Sequence, residues 1–309
     1  MKPLVAAAAA LLLAGAPSAA EARTAAPDPL KTVLALLAKG GSAKIETLAG
    51  VSTDQYEKDE AAHTYWTGGY ELSGTGRLQV GPKGVVAAEM TRKLAFGTKA
   101  RQLMARDART DRYCAWVLAS EGITRTVSVK GRQYQSPPKA GKWVDLGRSS
   151  GAAAAYGDQV INVFEPATLR KLLSGVDKRS ASDWYKDRTT GRRQRIYTLS
   201  GNITFAELYK VSPSFREAAG ANTNGAVEVT WTYMYDDRGL PYRVGWRFYA
   251  LPQKNQGIGQ GRITRLYLAT QYRGWGTNTS IRAPKAAPGE GLAADEILDI
   301  LRAPQRRPS

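Results

Sequence analysis

The chain of 309 residues holds one cysteine, Cys114, and one histidine, His63. A lone cysteine excludes an intramolecular disulfide, so the fold must stand on its core. In "DRYCAWVLA" its apolar neighbours make Cys114 a small buried hydrophobe and not a nucleophile. A lone histidine excludes a multi-histidine metal site and leaves at most one triad candidate. No Gly-x-Ser-x-Gly elbow is present. "GIGQGR" at 257–262 lacks the strand before and the helix after that a phosphate-cradling glycine loop needs. The neighbouring acids Asp107 and Asp111, and Asp236 and Asp237, lack the companions of a calcium loop. The expectation is a chain without metal or cofactor that is not an enzyme.

Long apolar runs are also missing, because the Ala/Leu stretch in "MKPLVAAAAALLLAGAPSAAEA" falls well short of the roughly 20 residues of a spanning helix. Its positive start and small-residue end instead have the layout of a secretory signal peptide over residues 1–22, with cleavage after Ala22 or, alternatively, Ala20. No cysteine stands at the cleavage point, so a lipid-modified export signal is not expected. The sequence thus predicts a secreted or extracytoplasmic protein of the cell envelope. Residues 23–28 form a short linker.

Acid is scarce relative to base, with 27 Asp and Glu against 44 Lys and Arg, a formal net charge of +17. The predicted signal peptide carries one Lys and one Glu, so the excess survives its removal. For an exported chain the anionic partners within reach are a phospholipid surface or an acidic wall polymer, and nucleic acid is not one of them. The alternative is that the scattered charge serves only solubility.

The pattern that is present is mainly β. "DPLKTVLALLAKGG" predicts an amphipathic helix: Asp28 caps, Pro29 suits the first helical position, and Leu30, Val33, Leu34 and Leu37 recur at helical spacing. From about 43 to 148, short runs separated by Gly, Pro or charged turns predict an antiparallel meander, with "RQLMARD" and "RYCAWVLAS" among the strands. "FEPATLRKLLSGV" predicts a second helix, begun by Pro166 and carrying Leu169, Leu172, Leu173 and Val176 as its apolar stripe. Strand periodicity returns in "RIYTLSGNITFAEL", where Tyr197, Leu199, Ile203 and Phe205 share one parity. A short helix in "SPSFREAAG" and a last strand in "RITRLYLATQYRGWG" follow. Beyond 284, "IRAPKAAPGEG" leads into a linker-like stretch, "ADEILDILR" has the pattern of one short helix, and the end is a basic tail.

The densest feature is "VEVTWTYMYDDRGLPYRVGWRFYA" at 227–250, with seven large aromatic side chains. Val227, Val229, Trp231, Tyr233 and Tyr235 share one parity, as do Leu240, Tyr242, Val244, Trp246 and Phe248. A period of two places each set on one face of a strand, and Asp236–Gly239 supplies turn chemistry between them. This predicts an antiparallel hairpin with one bulky apolar face. A sheet of so many strands curls to hide such a face, and the two amphipathic helices are the lids for the inside of the curl. Two readings of the face stand. In one, Trp231, Tyr233, Tyr235, Trp246 and Phe248 line an apolar cavity for a lipid or other apolar envelope molecule, under Leu169, Leu172 and Leu173. In the other they fill the interior, and the protein is a secreted interaction or sensor protein whose basic surface recognises an acidic partner. Arg243 and Arg247 fall on the opposite parity and face solvent.

In order along the chain, "GSAKIETLAG", "ELSGTGRLQVGP", "VKGRQYQSPPKAGKWVDLG", "FEPATLRKLL", "LSGNITFAELYKVSPSFRE", "YDDRGLPYRVGWRF" and "YRGWGTNTSIRAP" resemble landmarks of the LolA/LppX-type lipoprotein-carrier superfamily, in particular its actinobacterial secreted and lipoprotein members. The resemblance covers most of residues 29–284 and implies a single domain there. It implies a mainly antiparallel, α+β half-barrel, with helices closing the concave side of a highly curved sheet. It also implies a non-catalytic protein whose concave face takes acyl chains or a lipid anchor, or one acting as an envelope sensor. Many of those relatives carry a lipid-anchoring cysteine after the signal peptide, and this chain has none.

Overall fold

In this computed structural model, the residues described are 26–55, 66–109, 118, 121–136, 141–148, 160–182, 184–186, 191, 193–219, 225–250, 262–277 and 279–288. His63, nearly all of "RYCAWVLAS", the predicted signal peptide and the predicted C-terminal helix lie outside them.

The chain begins with helix α1, Pro29–Lys39, for reasons local to its sequence. The Asp28 carboxylate accepts from the backbone N–H groups of Leu30 (2.9 Å) and Lys31 (3.2 Å), satisfying donors that a first turn leaves open. Pro29 occupies the position where its missing N–H costs nothing, and Gly40 ends the helix at φ +74°, a left-handed value suited to glycine. Val33 and Leu37 are buried against the sheet.

Strands β1 (Gly41–Gln55), β2 (Trp66–Gly81) and β3 (Gly84–Phe96) form a long antiparallel meander. It continues, after a helix, as β4 (Gly122–Val129), β5 (Arg132–Ser136) and β6 (Val144–Arg148). That helix, α2, spans Thr98–Asp107 and covers the segment expected to be a strand at "RQLMARD". The reason is propensity. After Thr98 the segment holds no β-branched residue, and its Lys, Ala, Arg, Gln, Leu and Met are all strong helix formers. The second half comprises α3 (Pro166–Ser174), β7 (Lys178–Ala181), the small pair β8 (Tyr185–Lys186) and β9 (Arg193–Gln194), β10 (Ile196–Thr204), α4 (Phe205–Val211), α5 (Pro213–Ala219), β11 (Glu228–Asp236), β12 (Pro241–Ala250), β13 (Arg262–Arg273) and β14 (Ala287–Pro288).

Among the described residues, twelve strands form one open, curved sheet in the order β14-β6-β5-β4-β3-β2-β1-β13-β12-β11-β10-β7. Every neighbouring pair is antiparallel except β14 with β6. The expected class, a mainly antiparallel half-barrel with helices on its concave side, is the fold observed. The join is central, since β1 pairs with β13 from Lys44↔Arg273 to Gln55↔Arg262.

Helices α1, α3, α4 and α5 and the segment Val160–Phe164 place Val33, Leu37, Leu169, Leu172, Phe205, Leu208 and Phe215 in the same hydrophobic core as the sheet's inner face. The start of α3 is tied to the α4–α5 junction through Glu165, whose carboxylate accepts from the Ser214 backbone N–H at 2.9 Å and from the Thr168 hydroxyl at 3.0 Å. Phe205, expected to lie in a strand, instead opens α4. Thr204 and Glu207 form a capping box that starts the helix there, and Phe205 remains buried.

Glu207 makes this junction sensitive to acid. Its carboxylate accepts from the Thr204 backbone N–H at 2.9 Å and pairs with Lys171 at 2.9 Å, which brings its pKa down to about 2 from 4.5. A depressed carboxylate pKa contributes stability above the unfolded value and loses it as pH falls toward the folded one. Stability should therefore decline between about pH 4.5 and 2. Glu207 is 38% exposed, so solvent screening holds its share to about 1 kcal/mol or less. Urea unfolding of Glu207→Gln beside the parent across that range checks this, because the variant should lack that part of the decline.

Candidate functional site

The hairpin β11–β12 carries the residues singled out in the sequence. Trp231, Tyr233 and Tyr235 project from one face of β11, and Trp246 and Phe248 from the same face of β12, with Trp231 directly opposite Trp246. All five are buried, as are Leu169 and Leu172 of α3, while Leu173 is half-buried against the same cluster. The structure thus brings all eight together on the concave side. Their rings interlock with those of the helices and β10. Trp246 stacks on Phe248 at 5.5 Å between centroids, Phe205 meets Phe248 edge-on at 5.1 Å, and Tyr197 stacks on Tyr235 at 5.2 Å. Trp231 lies against Gly201 of β10, where an added Cβ would stand 2.9 Å from the indole and 2.3 Å from the Gly175 carbonyl. Glycine is needed there for close approach.

One expectation about the hairpin changes. The pairing shifts between Met234 and Tyr235, so Tyr235 faces Pro241 and Tyr242 is the extra residue of a bulge. Tyr242 leaves the aromatic row, meets Tyr185 edge-on at 5.5 Å and accepts a hydrogen bond from the Gln271 side chain at 2.7 Å. The bulge follows from the turn. Asp236 is buried and its carboxylate accepts from the backbone N–H groups of Arg238 and Leu240, both at 3.0 Å, and from the Arg238 guanidinium at 2.8 Å. Gly239 (φ +80°) sits against Thr32 of α1, whose hydroxyl donates to the Arg238 carbonyl at 3.1 Å.

The interior is not uniformly apolar. Among the described residues, six buried side-chain atoms have no hydrogen-bond partner: Trp231 Nε1, Trp246 Nε1, Tyr233 Oη, Thr126 Oγ1, Ser128 Oγ and Gln135 Oε1. All six belong to residues on the concave face. The first three stand on the β11–β12 wing. The other three stand on the β4–β5 wing, where Thr126 lies opposite Met90 and Gln135, and Ser128 opposite Ala88. The fold does satisfy an indole elsewhere, since Trp275 Nε1 donates to the Pro241 carbonyl at 2.8 Å. Burial pushes the Tyr233 hydroxyl well above its ordinary pKa, with smaller contributions from Tyr235 and Asp236, so it remains a neutral donor.

Thr126, Ser128 and Gln135 were missed by sequence reasoning. The polar parity of Thr126 and Ser128 in "ITRTVSV", and of Gln135 in "RQYQS", reads as the solvent face of a strand. The structure inverts it, because Val127 and Val129 on the other face are covered by the returning segment 279–288 through Ile281. That segment, expected to be a linker, is held by the Gln79 side chain donating to the Thr279 carbonyl and by β14 pairing with β6.

Among the described residues no group of three or more His, Cys, Asp or Glu side chains is close enough to hold a metal ion. No model of a known protein family matches the chain, and no curated protein matches it. Among solved structures it is similar to the crystal structure of a β-barrel-like protein of a domain of unknown function, DUF1849, from Brucella abortus. The identity is 9% and the TM-score 0.18, over 78% of this chain and 98% of that one.

Proposed function

We propose that this is a non-catalytic, extracytoplasmic binding protein for an amphipathic, lipid-like molecule held in the concave face of its half-barrel, in the manner of the LolA/LppX-type carriers that its sequence resembles. The six unpartnered polar atoms carry this reading. Leaving a buried donor or acceptor unpaired costs about 1–3 kcal/mol each. A partner that brings acceptors to the two indoles and the phenol, and polar groups to Thr126, Ser128 and Gln135, recovers that cost. Around these atoms the aromatic wing and the leucines of α3 offer apolar contact to a chain at about 0.8 kcal/mol per buried methylene. An amphipathic molecule supplies both kinds of group.

The test is solvent extraction of the purified full chain followed by mass spectrometry, with titration of a fluorescent undecanoic acid probe. The expected result is about one extracted lipid per chain. The combined Trp231→Phe, Tyr233→Phe and Trp246→Phe replacements keep rings on the wall but remove all three donors. They should weaken probe binding at least about tenfold, as two or more lost hydrogen bonds imply. A folded parent that emerges empty and ignores the probe overturns the proposal.

A further inference from the structure

The outer face of the same sheet carries a groove of about 520 Å³, lined mainly by outward-facing residues and, between them, by Trp246 and Leu268, whose side chains are buried in the core. Its floor is a row of small residues crossing four strands, because Ser200 pairs with Thr232, Thr232 with Gly245, and Gly245 with Ala269. Its walls include Arg243 and Arg247, each two residues from Gly245 on β12. Alternation puts these arginines and Gly245 on one face, with the two Cα atoms about 13 Å apart across the glycine. At the margin of the groove, Tyr267 pairs with Gly50 and lies over it, so close that a Cβ at Gly50 would stand 2.5 Å from the phenol oxygen. The ring thus leans toward β1, away from the floor.

The charge on this groove is uncompensated. Two other outer-face arginines have carboxylates: Arg77 pairs with Glu89, and Arg273 with Glu46 at 3.2 Å. Among the described residues Arg243 and Arg247 have no such partner, and both are exposed. Two arginines on either side of a glycine, with Ser200 and Thr232 on the floor, suit an anion that offers several oxygens at once. A carboxylate brings only two oxygens, which one fork can engage side by side. A phosphate ester has oxygens for both forks and a hydroxyl.

We propose that this outer groove is a phosphate-ester binding site gripped by Arg243 and Arg247 over Gly245. Two sources share this chemistry, a soluble phosphate ester and the headgroup of an anionic phospholipid, and the experiment separates them. The full chain is titrated calorimetrically with glycerol 3-phosphate, with succinate as carboxylate control, and is floated with phosphatidylcholine vesicles with or without phosphatidylglycerol. The parent should bind glycerol 3-phosphate, phosphatidylglycerol vesicles, or both. Binding to only one of the two assigns the source. The Arg243→Gln, Arg247→Gln double variant should bind at least about tenfold more weakly. Gly245→Ile provides a second check that leaves the charge in place. A Cβ there meets only Leu268 O at 3.7 Å and Ala269 Cβ at 3.9 Å, ordinary contact distances, so the variant fills the floor without disturbing the sheet. It too should lose at least about tenfold. The proposal is overturned if the parent binds neither probe, if succinate binds as well as glycerol 3-phosphate, or if both folded variants bind like the parent.

Discussion

Trp231→Ala should lower the unfolding free energy by about 3–5 kcal/mol, the range for truncating a large buried aromatic. The side chain is 1% exposed and fixed on several sides. It faces Trp246 across the hairpin, rests on Gly201 of β10 and belongs to the core that includes α3 and α4. Neighbours fixed in strands and helices collapse only partly into the space it leaves, so the cavity adds to the lost transfer energy. Urea denaturation followed by far-ultraviolet circular dichroism measures this. A loss below about 1 kcal/mol would show that the aromatic wing is loosely packed. For the same reason Trp231→Arg, which buries a charge in this cluster, tests folding rather than ligand retention. The phenylalanine replacements are the informative variants for binding.

Asp236→Ala should cost about 2–3 kcal/mol, because it removes the buried acceptor of two backbone donors in the turn, while the exposed Arg238 can turn to solvent. The carboxylate holds two backbone donors of the turn and the Arg238 guanidinium. Its loss leaves those backbone groups unpaired at the point where the hairpin tip docks on α1. Asp236→Asn, which keeps an acceptor oxygen, should cost less than half as much. Equal losses in the two variants would mean that the backbone contacts contribute little beside the charge. Thermal unfolding of the pair decides it.

Much of the architecture was legible because it is written in local periods. The α1 cap at Asp28, Pro166 at the start of α3 and the two-residue alternation of β11 each state their structure within a dozen residues. The turn at Asp236–Gly239 was legible too, but the bulge it induces was not, so Tyr242 was assigned to the wrong face. Nothing in the local pattern of β4 says which face is inside. Val127 and Val129 form the apolar parity, and a segment more than 150 residues later in the chain covers them. The polar residues Thr126 and Ser128 therefore turn inward, and that wing of the candidate site could be found only from tertiary structure. "RQLMARD" failed for a simpler reason, because strong helix formers were subordinated to an expected meander.

The central pairing of β1 with β13 has a consequence for how the molecule comes into being. The β1–β6 meander and the β10–β12 hairpins can each organise from near neighbours, but they become one sheet only when residues 262–273 enter between β1 and β12. Until then both strands present open edges, and closing the gap brings together segments separated by more than 200 residues. Long-range closure of this kind is intrinsically slow. More than 200 residues of chain must be made after β1 before the molecule can shut its own seam, and the unfinished halves need shielding from one another's copies in the meantime.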